Sequence, residues 1–289
     1  MKPAAFDYVV AHSAGEAVAA LAGGDTQVLA GGQSLILELN YRAARPARLV
    51  DINRVPGFDH LGVTDAALRV GPLVRHSAFA DLDHGPLGTL LGRVAHHIAH
   101  PPVRARGTML GSLAYAHPAA EWPAVVTTLD GRLVLTGGAG ARTVAAADFF
   151  TGPFGTVRRP DELLTEVRLA LLPVGTGVGF AEHRRTHASF AQLAALAALT
   201  VRGGRVDEVR VGLVNAADRP VRARAAERVL LDRPLDPAAF AEAGQAAAAE
   251  DADPRPQPYA GTAYQRHAVA VLVRRALDAA HRDLAPTGG

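Results

Sequence analysis

Cysteine is absent from all 289 residues. That excludes disulfides, thiolate nucleophiles, Cys-ligated zinc and ordinary iron–sulfur ligation within the chain. Electron chemistry, if present, then falls to an organic cofactor or to a metal held by His and carboxylates. Lysine is nearly absent as well: Lys2 is the only one, so the basic residues are almost all arginine. With alanine abundant throughout, this reads as base-composition bias, and pairs such as Arg158-Arg159 or Arg274-Arg275 carry little information. An excess of one charge is also lacking. The 30 Lys+Arg stand against 28 Asp+Glu, and the pI near 9.3 reflects near-balance rather than a nucleic-acid footprint. No apolar run reaches the length of a membrane span, and the start MKPAAFDYVV carries no signal-peptide core. A cytoplasmic location is the expectation.

What is present suits a globular protein, with 49% hydrophobic and 20% charged residues in a chain long enough for two cores. Residues 1–55 read as a small α/β unit. Ser13 caps a helix to Ala22 with Glu16 three residues on, and a strand at 27–30, a helix near 34–41 and a strand at 48–52 follow. A strand at 67–71, a helix opening at Ser77 and an apolar helix Leu87–His100 stopped by Pro101-Pro102 come next. A Gly-rich loop near 107–112, a helix after Pro118-Ala119-Ala120-Glu121, a strand after Asp130-Gly131 and a strand at 163–173 complete the first part. Pro173–Gly179 reads as a link between domains. Beyond it, FAQLAALAALTV (190–201) scores as helix on propensity, yet Gly203-Gly204 and the alternating VDEVRVGLV after it mark a hairpin, so a buried strand is predicted. Helices at 223–231, 237–250 and 261–283 close the chain, with a frayed tail beyond.

Few single motifs carry chemistry. His96, His97 and His100 make H-H-x-x-H, but no Glu follows in the H-E-x-x-H manner and proline ends the helix immediately after, which favours a polar helix end. Ser34 and Ser112 sit in no G-x-S-x-G, so neither is a convincing nucleophile. Glu162 and Glu166 fit a solvated strand face. The sharper signal is a pair of glycine loops, Gly31-Gly32-Gln33-Ser34 and Gly107-Thr108-Met109-Leu110-Gly111-Ser112. Taken alone, the first is most simply a corner between strand and helix. Together they offer two sets of backbone N–H groups with hydroxyls, which is what adjacent phosphates need. Glu121 adds a carboxylate able to accept from ribose-type hydroxyls.

LAGGQSLI, ARPARLVDINRVPG, IAHPPVRARGTMLGSLAYAHPAAEWPAV, DFFTGPF, DELLTEV and AYQRHAVAVLVRRAL occur in this order along nearly the whole chain. In them the sequence resembles the FAD-binding medium subunit of the molybdenum hydroxylases, the group of xanthine dehydrogenase and carbon monoxide dehydrogenase. The resemblance implies an α+β fold. Residues 1–175 would form a FAD-binding domain of two subdomains (about 1–55 and 56–175). Residues 176–285 would form a C-terminal domain with a three-stranded antiparallel sheet and helices, with a tail at 286–289. It implies that Leu29, Ala30, Gly31, Gly32, Gln33, Ser34 and Leu35 hold the FAD pyrophosphate from one side. Thr108, Met109, Leu110, Gly111 and Ser112 would hold it from the other. Glu121 falls at an acidic contact to FAD, Ile98 at an apolar one, Leu164 beside the flavin and Arg184 at a basic contact. The implied partners are an iron–sulfur small subunit and a molybdenum-cofactor large subunit, with NAD, quinone or oxygen as electron acceptor. No residue of the chain need be catalytic in the acid–base sense.

Three departures stand out. The family has Gly-Gly where Leu110-Gly111 stand, Asp at His117, and Gly-Asp-Phe-Ala at Ala188-Ser189-Phe190-Ala191. Leu110 would bring a branched side chain to a position of close backbone approach. The departures motivate a second reading, a stand-alone flavoenzyme on the same fold; a flavin-free scaffold subunit is a third reading, of a different class.

Overall fold

Short strands of β-branched residues alternate with capped helices at the start of the chain, the pattern of a parallel sheet. In the computed structural model, which describes residues 2–258 and 260–284, β1 (Asp7–Val10), α1 (Ala14–Ala22), β2 (Thr26–Leu29), α2 (Leu35–Tyr41) and β3 (Arg48–Asp51) form such a unit. Its strands run parallel in the order β1-β3-β2. The Ser13 hydroxyl accepts from the Glu16 amide at 3.1 Å, and the Glu16 carboxylate accepts from the His12 amide at 2.8 Å. The cap is therefore reciprocal, reaching one residue earlier than a standard box.

A five-stranded antiparallel sheet follows, in the order β4-β5-β10-β6-β7. It is built from β4 (Leu61–Thr64) and β5 (Ala67–Val70), then β6 (Arg132–Gly137), β7 (Gly140–Ala145) and β10 (Leu163–Ala170). Between β5 and β6 lie α3 (Gly85–His97), α4 (Pro101–Arg104), α5 (Met109–Tyr115) and α6 (Glu121–Thr128). Between β7 and β10 lie α7 (Ala146–Phe149) and the small pair β8 (Phe150–Gly152) and β9 (Gly155–Thr156). Trp122, Phe79, Phe149 and the leucines of α3 fill the core here.

Several expectations are corrected in this part. The helix at Ser77 is a single 3₁₀ turn, His76–Phe79. The apolar helix ends at His97, because Ile98 is extended and Ala99 is left-handed (φ 44°). The prolines then start α4 at its first positions, where their missing N–H costs nothing. The 107–112 loop is in part a helix, since Thr108 caps α5 by accepting from the Gly111 amide at 3.0 Å. Glu162 and Glu166 are not solvated. Both are buried and paired, Glu162 bidentate with Arg142 (2.6 and 2.8 Å) and Glu166 with Arg69 and Arg168.

The last sheet is antiparallel: β11 (Gly177–His183), β12 (Leu193–Arg202) and β13 (Arg205–Val214), with a two-residue edge strand β14 (Val221–Arg222) beside the three long ones. The strand β11 begins inside the segment read as a link. Helices α8 (Arg224–Leu230), α9 (Pro237–Ala246), continued by a π-turn to Asp251, and α10 (Thr262–Asp283) cover one face. The alanine-rich run at 190–201 is indeed a strand, β12. Leu193, Ala195, Ala197 and Leu199 face the helices, while Ala194, Leu196 and Ala198 pack into the preceding core. A strand buried on both faces reads as a continuous apolar run rather than an alternating one. The tail at 286–289 lies outside the described residues.

Candidate functional site

The two glycine loops meet although they belong to different sheets. Gly31 follows β2, and a Cβ placed on it would lie 2.2 Å from the Arg106 carbonyl oxygen and 2.8 Å from the Gly107 Cα. The absence of a side chain at Gly31 thus serves first to let one loop backbone lie against the other. Gly32 has φ +76°, the left-handed conformation that turns the chain into α2. Gly107 lies against the ring of His76, whose Nε2 is 2.6 Å from where a Cβ would be. His76 is buried and fixed: Trp122 Nε1 donates to its Nδ1 at 2.9 Å, which leaves the proton on Nε2. Burial, reinforced by Arg104 and Arg75, pushes its pKa down to about 4, so the ring is neutral.

Between these loops opens a cleft of about 280 Å³. Of the residues implicated by sequence, Ala30, Gly31, Gly32, Gln33, Ser34, Leu35, Ile98, Thr108, Leu110, Gly111, Ser112, Glu121 and Leu164 line it. Leu29, Met109 and Arg184 do not. Leu29 ends β2, Met109 is fully buried in the core, and Arg184 turns away to donate to the His97 carbonyl at 2.9 Å. Leu110 belongs to both settings. It is 2% exposed and packs in the core, as the second residue of α5, so its side chain does not project into a phosphate slot.

The donor set suits an anion. Among the described residues, the amides of Gly32, Gln33, Ser34 and Leu35 donate to no protein group, and neither does that of Leu110. The Ser34 hydroxyl caps nothing. Free N–H groups converging from two loops are what a pyrophosphate requires. Glu121 is a different kind of group from the one expected. It is 5% exposed, and burial, with the nearby Glu182, pushes its pKa up to about 8. Near neutral pH it is a protonated carboxyl that can donate as well as accept. Glu182 is raised to about 7 by burial of a side chain only 1% exposed, with both oxygens lacking a donor.

Other lining residues were not among the expected contacts, although His117 and Phe190 stand at two of the departures from the family. The Tyr115 hydroxyl donates to Glu38 at 2.9 Å and so ties α5 to α2 across the cleft. His117 stacks face to face on Phe190 at 4.0 Å, joining the loop before α6 to the loop before β12. The signal for these pairs is spatial, not local. Among the described residues there is no cluster of three or more metal-ligating side chains and no helix long and apolar enough to cross a membrane.

A cleft lined by two loops with free amides is suited to the phosphates of a dinucleotide-type cofactor. A family model for the FAD binding domain in molybdopterin dehydrogenase matches residues 4–171, and one for the CO dehydrogenase flavoprotein C-terminal domain matches residues 179–280. The chain belongs to the FAD-binding medium subunits of the molybdenum hydroxylases, flavoprotein subunits of oxidoreductase complexes, and its cofactor is FAD. It is 35% identical to the alpha subunit of the 6-hydroxypseudooxynicotine dehydrogenase complex of Paenarthrobacter nicotinovorans, over 99% of this chain and 98% of the relative. It is 32% identical to the carbon monoxide dehydrogenase medium chain of Hydrogenophaga pseudoflava, over 97% and 98%. A solved structure of carbon monoxide dehydrogenase from Hydrogenophaga pseudoflava superimposes with a TM-score of 0.94, covering 99% of this chain and 100% of that one at 32% identity. Quinoline 2-oxidoreductase from Pseudomonas putida 86 gives 0.92, covering 99% and 100% at 30%.

Proposed function

We propose that this subunit holds FAD with the pyrophosphate between the loops at residues 30–35 and 108–112, and passes electrons from iron–sulfur clusters on a small subunit to an acceptor. The observation that carries the reading is the facing pair of loops with unsatisfied amides around one cleft. Bound FAD supplies the redox chemistry, taking up two electrons and releasing them to NAD⁺, a quinone or oxygen. The chain's own residues bind and orient it. The amides of Gly32–Leu35 and Leu110 receive the phosphate charge, Glu121 offers a hydroxyl-binding carboxyl, and Ile98 and Leu164 supply apolar walls. Residues 1–175 are the cofactor domain in this reading and 176–285 the C-terminal one.

With no cysteine, the chain cannot ligate the clusters that would feed it, so they must come from a partner. Its relatives are named as a subunit of a complex and as a medium chain, which supports small and large subunits as partners here. The test is reconstitution. The isolated, FAD-loaded chain is expected to turn over no hydroxylase substrate, and adding the small and large subunits is expected to start turnover. Multiple turnovers of an organic substrate by the chain alone would replace this reading with a stand-alone flavoenzyme.

A further inference from the structure

The two glycine loops are carried by separate sheets, so the gap between them has to be set by something other than either sheet. Asn53, just beyond β3, donates through Nδ2 to the Ala30 carbonyl at 2.9 Å and to Asp51 at 2.6 Å. Its orientation is thereby fixed, with Oδ1 turned outward. That oxygen accepts from one arm of Arg75, Nη2, at 2.7 Å. The other arm, Nη1, donates to the Arg106 carbonyl at 2.6 Å. This carbonyl is the one against which Gly31 lies bare. One guanidinium therefore links the carbonyl before Gly31, through Asn53, to the carbonyl before Gly107. Main-chain bonds from His76 to Gly107 (2.9 Å) and from Met109 to Val74 (3.3 Å) zip the backbone around Arg75 onto the second loop. Neither Asn53 nor Arg75 lines the cleft, and both are half-buried behind it.

We propose that Arg75 and Asn53 are positioning residues for the cofactor, a two-armed clamp that sets the gap across which the loops grip the FAD pyrophosphate. The inference rests on the reading that these loops hold the pyrophosphate. Arginine suits the task because its planar fork satisfies two acceptors at once, whereas a lysine ammonium is a single point donor on a flexible stem. Without the clamp each loop still folds on its own sheet, but the amides no longer face each other at a fixed distance.

The experiment uses the full chain stripped of flavin, as wild type, Arg75→Lys, Asn53→Ala and the double variant. FAD affinity is read by flavin-fluorescence titration, and melting temperature is read without flavin. Each single change is expected to weaken FAD binding by at least about fivefold, the scale of one ordinary hydrogen bond. The double variant is expected to be no weaker than the worse single one, because both act through one chain of contacts. Melting temperatures should stay within about 3 °C of wild type, a shift too small for a lost packing contact. The visible spectrum of FAD-saturated variants should match wild type, since the clamp is placed at the pyrophosphate loops rather than at the flavin. Less than about fivefold weakening, additive effects, or an affinity loss matched by a larger fall in melting temperature would overturn the clamp. Arg75→Lys decides the matter alone if Asn53→Ala does not fold. A Gly31→Val variant separates the two ideas. If it loses FAD while Arg75→Lys does not, the clamp fails and the site stands; if it binds FAD like wild type, the site reading itself fails.

Discussion

Glu121 is the group whose behaviour in the structure differs most from its expected role, and replacing it by the neutral isostere glutamine tests that difference. In an unfolded chain its carboxyl titrates near the ordinary value of 4.5; in the fold, burial and Glu182 raise it to about 8. The folded state therefore keeps a proton that the unfolded state releases. The associated stability is fully present below about pH 4.5, declines as pH rises, and levels off above about pH 8. Each pH unit inside that window costs about 1.4 kcal/mol per retained proton, so the flavin-stripped wild type should lose about 2–3 kcal/mol between pH 5.5 and 7.5 through Glu121. Urea unfolding at several pH values measures this directly. Glu121→Gln should flatten the curve by about that amount, leaving the shallower slope contributed by Glu182 up to its own pKa of about 7. Parallel curves for the two proteins would refute a buried, protonated Glu121.

Leu110→Gly should cost about 3–5 kcal/mol, since it empties a buried core position and places glycine in a helix; an unchanged melting curve would show that the side chain does not pack. Gly31→Ala should weaken FAD binding by at least about tenfold, because its methyl would overlap the Arg106 carbonyl and force the loops apart. Gly138→Ala, with open space around it, is the matched control and should bind FAD as wild type does.

Sequence legibility tracked how local the determining physics is. The Ser13 cap, the Gly203-Gly204 hairpin and the two glycine loops are set by neighbouring residues and could be read directly. The β12 run was readable as a strand only because the turn after it outweighed its alanine content; its lack of alternation reflects packing on both faces. That Leu110 also packs in the core was not legible, because a motif position says nothing of where a helix starts. Once Thr108 caps α5, the second residue of that helix points to the core. Glu162 and Glu166 looked solvated because Arg142 and Arg69, which pair with them, lie on other strands far off in sequence, although Arg168 is only two residues from Glu166. The Asn53–Arg75 pair, the Tyr115–Glu38 tie and the His117–Phe190 stack join residues 22, 77 and 73 positions apart, beyond the reach of any local pattern.

The placement of the cofactor is tested most directly by a crystal structure of the FAD-loaded chain. The account predicts pyrophosphate oxygens within hydrogen-bond distance of amides in Gly32–Leu35 and of the Leu110 amide, with the Glu121 carboxyl on a cofactor hydroxyl. Pyrophosphate bound elsewhere, with both glycine loops out of contact with it, would contradict the account.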